Sequence, residues 1–224
     1  MNWFRSIIDL ALLVIIASWL LWIFLGVPPA QEPAGAWAQK IFYLHVPSAL
    51  VGFFGFFIVT LCSLGVLLGD EEFWDIPAVS AMEVSYIVAC AVLLTGPFWA
   101  RPVWGIWWRW EPRLTTFFVM WLMYGAWFLL RRALPSGSQK RQYSAIYAIL
   151  CCFNIPVVMS SIHMWQSDIQ LHPQKEELSM DSIMYYTFYI SIAVVLLVFL
   201  RLFWFRWDLE RLKRKVRSFS YGKY

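Results

Sequence analysis

The chain has 224 residues, of which 61% are hydrophobic, 19% aromatic and only 14% charged, with a mild formal charge of +4. Soluble domains carry about 25% charged and about 45–50% apolar residues. A soluble globule is therefore excluded, and so is a disordered chain, which would be rich in charge and poor in aromatics. Four cysteines are few for a disulfide scaffold of this length. Cys62, Cys90, Cys151 and Cys152 all lie in apolar runs without CxxC or zinc-ligand spacing, and they read as small buried hydrophobes.

A membrane-spanning helix needs about 20 apolar residues. Six runs meet that need, over about 7–26, 48–69, 77–100, 115–134, 142–161 and 182–205. The expected fold is an all-α integral membrane protein of six transmembrane helices in one domain, 1–224. The first run is about twice the usual length of a signal-peptide core, so it reads as a retained span. Glu83 is the charged residue that comes nearest to a run's interior. An intramembrane carboxylate suggests function by default, but the neighbouring acidic loop (Asp70, Glu71, Glu72, Asp75) favours an interfacial role at a helix end.

Lys and Arg near the span ends set orientation. With a cytoplasmic N-terminus, 13 of the 18 basic residues fall inside. Arg5, the loop with Arg131, Arg132, Lys140 and Arg141, and the C-terminal segment supply them. Lys40, Arg101, Arg109, Arg113 and Lys175 remain outside. Both termini are thus expected in the cytoplasm, in a multi-pass plasma (inner) membrane protein. The tail 206–224 is expected to carry the last helix past the bilayer as a basic stalk. Its charge reads as anchoring to anionic lipid, not as nucleic-acid binding. Three long segments, 27–47, 99–114 and 162–181, then face outward, and they hold or border all three histidines: His45, His163 and His172.

The middle segment runs Trp99-Ala-Arg-Pro-Val-Trp-Gly-Ile-Trp-Trp-Arg-Trp-Glu-Pro-Arg-Leu-Thr115 and holds five of the fifteen tryptophans. Pro102 suits the start of a short helix and Pro112 its disturbance. Trp104, Trp107 and Trp108 would then share one face at i, i+3, i+4, giving a short interfacial helix with a flat aromatic side. An interfacial aromatic belt accounts for scattered residues such as Trp3, Trp22, Trp37, Trp204 and Trp207. It accounts poorly for this cluster, and not at all for Arg101, Arg109 and Arg113 on the disfavoured side. Arginine pairs with carboxylates and stacks on aromatic planes. A large flat apolar ligand with carboxylate tails uses that combination; heme fits the description, and imidazole is a common ligand to its iron.

The run Trp104-Gly-Ile-Trp-Trp-Arg-Trp-Glu-Pro-Arg-Leu-Thr115 closely resembles the tryptophan-rich WWD signature of the heme-handling family of cytochrome c biogenesis. Tyr43-Leu-His-Val-Pro-Ser48 and Asn154-Ile-Pro156 match as well, and length and span count resemble the six-span branch, the cytochrome c maturation protein C family. The resemblance implies a non-covalent, b-type heme held on the outer face. His45 and His172 would be the axial ligands, and Trp104, Trp107, Trp108, Trp110, Glu111, Arg101, Arg109 and Arg113 would surround it. It implies delivery of heme to a membrane-anchored heme chaperone, beside an ATP-binding-cassette complex and a small accessory membrane subunit. Two positions depart from the family pattern. Glu111 stands where the signature usually has Asp, and six residues separate Trp165 from His172 where the family has three. His163 is therefore a rival ligand.

No P-loop, GxSxG or HExxH motif is present, and no catalysis by the chain's own side chains is expected. A permease for heme or another solute is the alternative, although such proteins tend to show internal repeats and mid-membrane polar or helix-breaking groups. A b-type electron-transfer subunit would place its histidines within facing spans.

Overall fold

The computed structural model describes residues 3–29, 36–164 and 181–221, and these are helical with no strand among them. Helix α1 (Trp3–Leu21) runs on through one π-helical turn, Trp22–Gly26. A short 3-10 helix (Ala36–Ile41) leads into α2 (Phe42–Leu68), followed by α3 (Glu71–Trp104) and α4 (Pro112–Ala133). Helices α5 (Ser138–Cys152) and α6 (Asn154–Met164) precede α7 (Ser182–Tyr221). Six helical stretches are long and apolar enough to cross a membrane, with α5 and α6 together forming the fifth. The protein is an all-α membrane protein with the six spans expected from its apolar runs.

Three boundaries differ from that expectation, each for an identifiable reason. The second span starts before residue 48, so His45 lies inside α2 and Pro47 is an interior proline. In α3, Pro77, Pro97 and Pro102 are all interior. Prolines are tolerated in membrane helices because neighbouring groups re-satisfy the freed carbonyls. Third, the separate helix expected after Pro102 does not form. Pro102 sits in the last turn of α3, which ends where Gly105 turns left-handed (φ 76°) and its N–H caps the Arg101 carbonyl. The chain then runs without helix to Glu111, and Pro112 opens α4 at its first position. Trp104, Trp107 and Trp108 therefore do not share a helical face.

Helices α2 and α3 form the central hairpin. It turns at Gly69–Asp70, where the Asp70 carboxylate caps α3 by accepting the N–H groups of Glu72 and Phe73, each at 2.9 Å. Phe56 and Tyr124 stack between α2 and α4 in the core, with Met82, Met120, Ala148 and Val158 around them. The fifth span breaks at Phe153. Pro156 offers no N–H to the Cys152 carbonyl one turn earlier, and the Asn154 side chain donates to the Thr116 carbonyl on α4 at 3.3 Å. This kink brings Val158 of α6 toward α2–α4.

Helix α1 is joined to α7 by the Trp19 indole on Ser191 (2.9 Å) and the Trp22 indole on Thr187 (3.0 Å). Ion pairs Arg201–Asp9 and Arg5–Asp208 extend the seam. The buried Lys40 ammonium donates to the Phe24 carbonyl at 2.7 Å, capping the π-helical end of the first span. At the opposite, basic end, Asp75 pairs with Arg131 and Arg214, and Glu71 with Arg141. Glu83 pairs with Arg206 of α7, so it is an inter-helix ion pair. At about 1.5 Å per residue, the 40 residues of α7 reach about 60 Å, against a hydrocarbon core of about 30 Å. The basic C-terminal segment thus continues the last span as unbroken helix through Tyr221.

Candidate functional site

At the tryptophan-rich end, the start of α2, the end of α3, the start of α4 and α6 enclose an open cavity of about 800 Å³, counting its mouth. Its wall is apolar and aromatic, with Phe53, Trp99, Trp104, Trp108 and Phe117 the large rings. Among the described residues, two ionisable side chains line it, His45 and Arg113. A broad apolar wall with a few convergent polar groups is the usual make-up of a small-molecule site.

Each functional side chain is set by a local feature. His45 is in the first turns of α2, and its Nδ1 lies 3.0 Å from the Thr95 hydroxyl of α3. Gly96 lets the two helices close around the ring, since a Cβ at that position would come within 3.3 Å of His45 Cε1. Arg113 is held at the wall by the opening of α4: Glu111 is its cap position, Pro112 its first residue and Arg113 its second. Glu111 is fully buried and interacts electrostatically with Arg113, and Arg113 in turn with His45.

The left-handed turn at Gly105 divides the tryptophans into two sets. Trp99 and Trp104 meet edge to face at 5.0 Å and line the cavity with Trp108. Trp107 turns outward against Phe98, and Trp110 packs beside Phe118; both are more than half exposed. Arg101 is exposed and donates to the Gly105 carbonyl, and Arg109 is also exposed. The Trp108 indole N–H is buried with no hydrogen-bond partner among the described residues, as expected of a donor kept for a ligand.

Of the ten candidates from sequence, the structure gathers His45, Trp104, Trp108 and Arg113 on one cavity wall, with Glu111 buried beside them. Arg101, Arg109, Trp107 and Trp110 are not among the lining residues. His172 lies outside the described residues, and His163 falls in the last turn of α6. Sequence reasoning missed Thr95, Gly96, Trp99, Phe53, Phe117 and Val158. For the first two a signal existed: Thr95-Gly-Pro97 is a polar and helix-breaking triplet inside an apolar run. Among the described residues no cluster of three metal-ligating side chains occurs.

A family model described as Heme exporter protein C matches residues 1–221. A heme exporter protein C of Bradyrhizobium diazoefficiens is 31% identical over 128 residues, covering 57% of this chain and 49% of that protein. The match to the Paracoccus denitrificans protein of that name is 27% over 205 residues, covering 89% and 83%. The Escherichia coli K12 protein is 24% identical over 166 residues, covering 74% and 67%. The chain thus spans about half of the first relative's length and most of the second's.

Proposed function

Because the chain belongs to the heme exporter protein C family, we propose that it handles heme in cytochrome c biogenesis, taking heme as cargo at the outer face and passing it to a membrane-anchored heme chaperone. The observation that carries this reading is the cavity itself. It is an aromatic wall in which one imidazole and one guanidinium converge.

The residues fit the group. Phe53, Trp99, Trp104, Trp108 and Phe117 offer apolar surface to a porphyrin plane. His45 would hold the iron through its imidazole, and His172, which lies outside the described residues, is the proposed second ligand. Arg113 and the Trp108 N–H would donate to a propionate; a guanidinium matches a carboxylate with two parallel hydrogen bonds. Glu111, buried at the cap position of α4, sets a negative charge near Arg113 and favours its charged form. The exposed Arg101, Arg109, Trp107 and Trp110 lie around the loop and supply a rim for a larger ligand or for the chaperone.

When bound, the heme brings its own iron and reactive vinyl edges; the protein's part is to bind, orient and release. Non-covalent binding is expected, since release to the chaperone requires it. An ATP-binding-cassette complex and a small accessory membrane subunit are the proposed partners, and the spans sit in the plasma (inner) membrane with both termini cytoplasmic. The 13-to-5 distribution of basic residues supports that orientation.

Transfer to the chaperone is tested by mixing the heme-loaded protein, in sealed proteoliposomes, with the apo form of the soluble chaperone domain. Heme should leave the membrane protein for the chaperone on the face bearing Trp110. Accumulation of heme in the vesicle lumen without transfer would overturn this reading in favour of a permease.

A further inference from the structure

The interior threonine of the Thr95-Gly-Pro97 triplet faces the His45 imidazole of the cavity wall, and nothing in the tryptophan signature accounts for it. His45 Nδ1 lies 3.0 Å from Thr95 Oγ1. The same hydroxyl donates to the Ala91 carbonyl at 2.8 Å, with the Val92 carbonyl at 3.3 Å as a second acceptor. A hydroxyl has one proton and two lone pairs. With that proton directed to the backbone of α3, the oxygen meets the ring as an acceptor, and Nδ1 is the nitrogen that carries hydrogen.

We infer that Thr95 is a positioning residue for heme binding: its hydroxyl holds His45 as the Nδ1–H tautomer, leaving Nε2 as the lone-pair nitrogen that ligates iron. This inference rests on the heme reading of the cavity and adds a residue to it. The chain His45 Nδ1–H to Thr95 O–H to Ala91 carbonyl is a relay of donors running one way, in which each bond polarises the next. Metal-ligating histidines generally have their second nitrogen committed in this manner, which fixes the ring and raises its basicity. Gly96 adds the steric half of the arrangement. Its missing Cβ leaves room for the Cε1 edge of the ring, 3.3 Å from where a Cβ would stand. The ring thus meets the Thr95 hydroxyl at Nδ1, with the Val92 backbone as a further hydrogen-bond partner, and Gly96 leaves room at its Cε1 edge.

Thr95→Val keeps the shape and removes the hydroxyl, whereas Thr95→Ser keeps the hydroxyl. The chain has three histidines, so selective 15N-histidine labelling of the heme-free protein in detergent resolves three imidazoles, and His45→Gln identifies the signal of His45. The wild type and Thr95→Ser should show His45 protonated at Nδ1 with Nε2 bare, and Thr95→Val should show a mixture of tautomers. Heme titration should weaken about 10–100-fold in Thr95→Val, the usual cost of losing such a support, and recover in Thr95→Ser. An Nδ1 without its proton in the wild type, or a Thr95→Val protein that titrates like the wild type, would overturn the inference. A His45→Gln protein that binds heme normally would instead sink the heme reading and Thr95's part in ligation with it, while the heme-free spectra still report the tautomer.

Discussion

Asp75 of α3 receives both terminal nitrogens of Arg131 of α4, at 2.8 and 2.6 Å. Arg214 of α7 reaches the same carboxylate and also donates to the Glu72 carbonyl. One buried acidic group thus ties three helices together at the basic end. Removing one partner of a buried pair leaves a desolvated charge and costs about 3–5 kcal/mol. Asp75→Ala should lower stability by that order in a denaturant titration in mixed micelles. Asp75 and Gly96 are about twenty residues apart on α3, or about 30 Å, so the folded variant should bind heme as the wild type does.

Close packing of the central hairpin rests on Gly55. A Cβ there would run into the Ser85 hydroxyl and come within 2.6 Å of the Phe199 ring of α7. Gly55→Ala should destabilise by about 1–3 kcal/mol, the usual cost of overpacking, as read by thermal unfolding in detergent. An unchanged midpoint would mean that α7 is free to shift away.

Arg113 is set at the cavity wall by the first turn of α4. Losing one charge-assisted hydrogen bond costs about 1.5–3 kcal/mol. Arg113→Ala should therefore weaken heme retention roughly 10–100-fold without affecting membrane insertion. Arg113→Lys should rescue only part of the loss, because lysine lacks the planar fork. Full rescue would show that charge alone suffices.

The site is useful only if it faces outward. Reporter fusions after Gly137 should read cytoplasm, and those after Trp110 or Lys175 should read the outside. A cytoplasmic signal after Trp110 would remove the outer-face reading altogether.

The spans were legible because length and apolarity alone decide them, and the length of α7 was legible because no helix breaker follows its apolar run until Gly222. The tryptophan loop was not legible. Pro102 has the signature of a helix start, and only tertiary support lets α3 absorb it and continue to Trp104. A left-handed Gly105 then reassigns the tryptophans, so that Trp104 and Trp108 line the cavity while Trp107 points away. His45 and Arg113, expected from residue type and resemblance, share one cavity wall. Thr95 was not legible because a neutral hydroxyl within an apolar span carries no charge to mark it, and its contact with His45 arises only from the packing of α2 against α3. Val158 reaches the wall through the kink at Asn154–Pro156, whose direction no local pattern encodes.

The most direct measurement is the absorbance spectrum of the heme-loaded protein beside three single variants prepared identically: His45→Ala, His172→Ala and His163→Ala. The wild type should show a low-spin bis-histidine heme. His45→Ala and His172→Ala should lose that signature, and His163→Ala should keep it. Retention of the signature by His45→Ala would contradict the assignment of the cavity as the heme site.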